Sequence, residues 1–266
     1  MGMASHAATD VHARVQDLAP WFHNLHLPDG TETRPDHTFG DFPSNKWEAI
    51  RHCVPEDLSG WTALDIGCNA GFYSFELARR GACVTAIDHD RHYLEQACWA
   101  AEQYGLQDRI QFREMQIYDL ARVGEQFDLV WFMGVFYHLR YPLLGLDIVS
   151  RRTRRLLIFQ TMTLPGEEVQ TPPYDLPLAE RHRMTEPGWP KMAFIEKRVE
   201  ADPTNWWAAD HACVEAMLRS CGMKVLARPA HEVYVCEPTF VDRDGIGEQL
   251  DREYEAATGI GRRRDG

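Results

Sequence analysis

No Cys-x-x-Cys pair occurs among the seven cysteines, so spacing offers neither a zinc site nor a disulfide framework. No apolar run approaches bilayer length, and the first residues lack a signal peptide's charged and greasy regions. A reducing, cytoplasmic setting with no membrane partner is therefore expected. Positive charge is scarce: 28 Lys and Arg stand against 40 Asp and Glu, a formal charge of −12. That balance disfavours a nucleic-acid partner, because phosphate neutralisation dominates such affinity. Arg151, Arg152, Arg154 and Arg155 read as a solvated helix-to-strand connection, and Arg262, Arg263 and Arg264 as part of a loose tail. Two phosphate-binding signatures are also missing. No Gly-Lys-Ser/Thr occurs, and the G-x-G-x-x-G positions fall on Gly67, Asn69 and Phe72.

What is present is a run of alternating elements. Ala63 to Ile66 is a short apolar strand, and Gly67 to Gly71 a turn with little side-chain bulk. A helix follows, then Val84 to Asp88, a second apolar run ending in a carboxylate 23 residues after Asp65. In an open parallel sheet, the crevice at those strand ends is where a nucleoside-bearing cofactor lies, so Asp65, Gly67, Asn69, Gly71 and Asp88 are expected to bind it. A carboxylate there can accept two ribose hydroxyls. Asn69 takes the place of a middle glycine, and Asn tolerates a left-handed backbone.

The string Asp65-x-Gly67-x-Asn69-x-Gly71 resembles the first motif of class I S-adenosylmethionine (SAM) methyltransferases. Gln116 to Leu120 and Phe127 to His138 follow in the order that family shows. Within the class, Asn45-Lys46-Trp47 and Met133 to Pro142 are most similar to the group around bacterial tRNA wobble-uridine carboxymethyltransferases, over roughly residues 40–165. The resemblance implies S-adenosyl-L-methionine as cofactor. It also implies that Lys46, Gly67, Asp88, His89, Asp90, Ile117, Tyr118, Met133 and Tyr137 line the cofactor and reaction site. Carboxymethyl transfer in that group uses a carboxylated SAM, held by a lysine before the core and an arginine near the C-terminus. No lysine occurs around Pro20 to His23 and no arginine around His231 to Val233, where Glu232 would repel the added carboxylate. Ordinary SAM and methyl transfer to a small-molecule acceptor are therefore expected, oxygen ahead of nitrogen, with a glycan or secondary metabolite as examples. The alternatives are a tRNA-modifying enzyme and a SAM-binding protein without catalysis.

The expected fold is α/β, a doubly wound and mostly parallel seven-stranded sheet. Its strands fall at 62–67, 83–88, 109–114, 127–132 and 154–163, and its helices at 71–80, 91–104 and 142–150. Residues 1–12 are expected to be disordered and 13–60 to cover the substrate or cofactor, with a helix over Val11 to Leu18 and another N-capped by Ser44. Residues 61–163 form the SAM-binding core. Residues 164–205 carry seven prolines and read as a cap inserted before a last helix, Trp206 to Cys221, which Gly222 closes. A hairpin, Met223 to Ala227 and Glu232 to Glu237, completes the core through residue 240, and 241–266 are a tail.

If the acceptor is a hydroxyl, a proton acceptor is needed, and His138 has a suitable reference pKa. Tyr137 would orient the acceptor or meet the methionine carboxylate. Asp41, His37 and His211 are secondary base candidates. Trp189, Trp206 and Trp207 form an acceptor pocket or seal the cap. His23 and His26 lack a third ligand between them, so no metal is expected.

Overall fold

The computed structural model describes residues 4–240 and 245–260. The chain divides after Gln116 into two compact units, a boundary inside the segment 61–163 expected to be one core.

The first unit comprises α1 (Ala4–Asp17), α2 (Ser44–Ile50), β1 (Thr62–Ile66), α3 (Phe72–Arg79), β2 (Cys83–Asp88), α4 (Arg91–Tyr104) and β3 (Ile110–Glu114). β2 pairs in parallel with β1 and with β3, placing Asp65 beside Ala86 and Asp88 beside Glu114. Leu64, Ile66, Ala86 and Ile87 are buried, the continuous apolar pattern of strands covered on both faces. Asp90 caps α4, accepting from the His92 amide at 2.9 Å, and Gly105 ends it in the left-handed conformation.

Two local expectations change. The helix expected from Val11 begins at Ala4, inside the stretch expected to be disordered. Ala4, Ala7 and Ala8 are strong helix formers, and the buried Val15 and Leu18 anchor the C-terminal end. Ser44 opens α2 as its first helical residue, while Pro43 occupies the cap position without a side-chain bond. Ser44 stands close enough to Asp41 to help lower that carboxylate's pKa.

The second unit holds β4 (Phe127–Met133), α5 (Pro142–Arg152), β5 (Thr153–Gln160), β6 (Met192–Phe194), β7 (Trp207–Ala209), α6 (His211–Ser220), β8 (Met223–Ala230), β9 (Val233–Pro238) and α7 (Gly247–Thr258). β4 runs parallel to β5, whereas β9 is antiparallel to both β5 and β8. The seven long strands take the order β3-β2-β1-β4-β5-β9-β8, the mostly parallel sheet with a reversed strand that was expected. β8 is outermost, and its register against β9 shifts between Val225 and Ala227 and again before Ala230.

Three boundaries differ. β5 stops at Gln160, not residue 163, and the helix expected from Trp206 starts at His211. Residues 207–209 pair instead as β7 with β6, and the Leu164 amide donates to Ala209 at 2.9 Å. Asp210 then caps α6 by accepting from the Cys213 amide at 2.8 Å. The expected tail contains α7, so α6 is not the last helix. Arg151 bonds Asp251 at 2.6 Å and lies 4.1 Å from the Tyr254 ring centre. Arg154 and Arg155 both reach Asp128, at 3.0 and 3.2 Å. The 151–155 arginines are thus tied down, not merely solvated. Arg262, Arg263 and Arg264 lie outside the described residues.

Candidate active site

In the first unit the site grows from the turn after β1. The Gly67 and Cys68 amides donate to the Ile87 carbonyl at 2.8 and 3.0 Å, fastening the turn to β2. Asn69 has φ +50° and Gly71 φ +89°, so the left-handed reading of Asn69 holds. The Asn69 amide donates to Asp88 Oδ2 at 2.9 Å, and the Asp90 amide donates to Oδ1 at 2.9 Å. Two backbone donors therefore fix the Asp88 carboxylate at the end of β2, and His89 lies 3.5 Å from it. Each oxygen keeps a lone-pair direction for a further donor. Tyr93, which the sequence reading missed, stands near the Asn69 side chain and the Asp88 and Asp90 carboxylates. Its signal lay in α4, one turn past Asp90.

Asp65 lies beneath this turn, buried, with its Oδ2 accepting from the Ser74 hydroxyl at 2.6 Å. Burial pushes its pKa up to about 7, the Ser74 bond opposing that rise and the Asp88 charge adding to it. Asp65 thus braces the turn from below. Lys46 is partly exposed on α2.

The segment before β1 has its own network. Asn24 donates to Glu32 at 2.8 Å and to Asp41 at 2.9 Å, and His26 Nε2 is 2.8 Å from Asp41. Asp41 is held below the usual carboxylate range by those partners, against the opposing effect of burial. His23 points elsewhere, buried among Phe42, Phe72 and Tyr73, and burial lowers its pKa to about 3. His37 packs within 5.4 Å of Phe22, Phe39 and Phe42. Asp41 and His37 are therefore parts of this packed segment.

In the second unit, Ile117 and Met133 are buried. The Tyr118 hydroxyl accepts from the Tyr141 amide at 3.1 Å. Residues 136–138 form one 3-10 turn after β4, which places Tyr137 and His138 side by side with ring centres 4.3 Å apart. His138 Nδ1 meets the Thr204 hydroxyl at 2.9 Å and Asp202 at 3.8 Å. Burial, with Glu232 and Asp202 adding, pushes the Tyr137 pKa up to about 12. The Trp206 amide donates to the Tyr137 carbonyl at 2.9 Å, and Trp207 Nε1 donates to the Leu139 carbonyl at 3.0 Å. Arg140 lies 4.8 Å from the Trp206 ring centre. Trp189 sits apart, 6.0 Å from Arg183. Trp206 and Trp207 hold residues 136–140 in place.

Glu232 is the residue whose role sequence reading most understated. It has φ +66°, a strained conformation for a residue with a Cβ. Its carboxylate accepts from the Thr163 amide at 2.7 Å, the Thr163 hydroxyl at 3.1 Å and Gln160 at 3.2 Å. Beyond it, the buried His211 meets the Tyr234 hydroxyl at 2.5 Å. A groove of about 620 Å³ along β8 includes none of the expected site residues.

Comparisons with known proteins bear on this arrangement. Residues 63–156 match the family described as Methyltransferase domain. A tRNA U34 carboxymethyltransferase of Alcanivorax borkumensis is 33% identical over 164 residues, covering 58% of this chain and 47% of that protein. A ubiquinone biosynthesis O-methyltransferase of Psychrobacter cryohalolentis is 40% identical over 86 residues, covering 32% of this chain and 34% of that one. The chain thus spans less than half the length of these relatives. Among solved structures, the N-terminal domain of EvdMO1, crystallised with SAH bound, aligns with a TM-score of 0.58 at 20% identity. That alignment covers 86% of this chain and 94% of the other. Among the described residues, no helix is long and apolar enough to cross a membrane. Residues 63–156 are a methyltransferase domain, and the chain carries the class I SAM-dependent methyltransferase fold.

Proposed function

We propose that the chain is a SAM-dependent methyltransferase acting in the cytoplasm on a hydroxyl of a small molecule. The observation that carries the reading is the Asp88 carboxylate, fixed by the Asn69 and Asp90 amides at the end of β2 in a methyltransferase domain. Gly67, Asn69, Gly71, Asp88, His89 and Asp90 would bind the adenosyl half of SAM. Lys46 would complete its surroundings in the first unit, and Asp65 would brace them; Ile117, Tyr118 and Met133 are proposed as cofactor residues from the family resemblance alone. The SAH in the EvdMO1 domain supports that cofactor, and the ubiquinone O-methyltransferase relative supports an oxygen acceptor.

Transfer from a sulfonium is an in-line displacement: the acceptor oxygen bonds the methyl carbon as the carbon–sulfur bond breaks. Its electron pair goes to sulfur, and the hydroxyl proton must leave. Most of the acceleration comes from holding the reacting atoms collinear with water excluded. His138 would take the proton, its ring held in place by Thr204 and Asp202 at Nδ1. Tyr137 stays protonated at neutral pH and would orient the acceptor through its hydroxyl.

Calorimetry of SAM binding tests the placement. Asp88→Ala should weaken affinity by about 1–3 kcal/mol, the cost of leaving polar groups unpaired; an unchanged value would refute it. His138→Ala should lower turnover roughly 10²–10⁴-fold while SAM still binds, as expected for loss of a general base; near-native turnover would remove that role.

A second reading, modification of a tRNA uridine, is favoured by the carboxymethyltransferase relative. Gel shifts with tRNA across a salt series separate the two. Affinity falling steeply with salt supports the tRNA reading, and no binding at low salt excludes it.

A further inference from the structure

Outside the methyl-transfer residues, the second unit gathers Glu167, His211 and His231, each offering a ligand atom within 4.8 Å of the others. They come from three places in the chain: the start of the 164–205 segment, the first residue of α6, and the turn between β8 and β9. His211 Nε2 is 3.6 Å from Glu167 Oε2, and His231 Nδ1 is 3.5 Å from Oε1. Two nitrogens and a carboxylate oxygen on one tetrahedral zinc stand about 3.3 Å apart, given bonds of about 2.0–2.2 Å. Each histidine nitrogen therefore already stands near coordinating separation from a carboxylate oxygen of Glu167.

His211 supplies the second, independent observation. Its side chain is fully buried, and among the described residues Nε2 has no hydrogen-bond partner although it faces the carboxylate. A buried nitrogen without a partner costs stability. Its other nitrogen, Nδ1, meets the buried Tyr234 hydroxyl at 2.5 Å. With Nδ1 donating to Tyr234, Nε2 presents its lone pair towards Glu167. A metal-bound histidine commonly gives its second nitrogen to such an outer partner. The second nitrogen of His231, Nε2, lies 3.9 Å from Glu232, beyond hydrogen-bond reach.

We propose that the Glu167 carboxylate, His211 Nε2 and His231 Nδ1 form a site for a divalent transition-metal ion of the zinc class. Two imidazoles and one carboxylate suit zinc and its first-row neighbours better than magnesium or calcium, which prefer all-oxygen shells. Arg228 donates to Oε2 at 2.7 Å, which fixes the carboxylate between the two imidazoles. The guanidinium repels the ion, and the two negative charges of Glu167 and Glu232 oppose that repulsion. Glu167 and His231 are both exposed, so the remaining coordination position is open to water or to a ligand's donor atom. The ion would fasten the start of the 164–205 segment to α6. This site stands apart from the methyl-transfer reading, and its test needs no methyl acceptor.

The test is titration of the chelator-treated full chain with zinc chloride, followed by calorimetry and thermal melting. Wild type should bind one equivalent and melt at a higher temperature when loaded. His231→Ala and Glu167→Gln, both at exposed positions, should weaken binding by at least about 10-fold, and Tyr234→Phe by roughly 10–100-fold as an outer partner. Wild-type melting of the metal-free variants separates lost ligation from lost folding. Cobalt substitution should give visible bands without thiolate charge transfer, which distinguishes this site from the seven free cysteines. No binding by wild type, equal affinity in His231→Ala, or a thiolate signature that survives it would each overturn the proposal.

Discussion

Two buried titratable side chains pull the stability of the first unit in opposite directions with pH. Asp65 has its folded-state pKa raised to about 7. Between the unfolded value near 3.8 and about 7 the native state therefore binds more protons, so the stability Asp65 contributes is full at acid pH and fades as pH rises through 7. His23 has its folded-state pKa lowered to about 3. Between about 3 and 6.5 the unfolded state binds the extra proton, so this contribution is lost as pH falls. Asp65→Asn should remove the first slope and His23→Gln the second, read as midpoint shifts in urea unfolding from pH 4 to 8. If both variants keep the wild-type pH profile, neither burial matters energetically. Asp65 and Asp88 were legible because a motif surrounds them. Glu232 was not, since its left-handed backbone and three donors from residues 160 and 163 arise only when β9 closes beside β5.

At the scale of elements, the junction of β1 and α3 is the most tightly specified. A Cβ on Gly71 would stand 2.7 Å from the Phe75 ring and 3.2 Å from the Ala97 methyl, at φ +89°. Gly71→Ala should cost about 2–4 kcal/mol in urea unfolding, from the left-handed penalty of about 1–2 kcal/mol plus overpacking. Asn69→Gly, at φ +50°, should fold normally. A Gly71→Ala variant of wild-type stability would mean that the turn relaxes easily. The alternating elements of residues 62–160 were legible because their apolar periods change cleanly between strand and helix. α6 was expected five residues early because Trp206 to Ala209 are apolar in either conformation, and only pairing with β6 and residue 164 decides for strand. α7 went unread because its apolar positions are few; Tyr254 and Thr258 alone are buried on it.

For the whole molecule, the mostly parallel seven-stranded sheet agrees with what the alternation of elements implied. The role of residues 164–205 was not legible, because irregular chain carries no period from which contacts can be inferred. The outermost strand adds a consequence for solubility. A bare sheet margin offers its unpaired amides to any neighbouring polypeptide and so seeds stacking between molecules. β8 carries Pro229, which has no amide to offer, together with Lys224, Arg228 and two slips in pairing. Pro229→Val should therefore leave the fold intact yet raise light scattering on concentration. The irregularity of β8, a small loss for one copy, makes that margin of the sheet a poor template for a second copy.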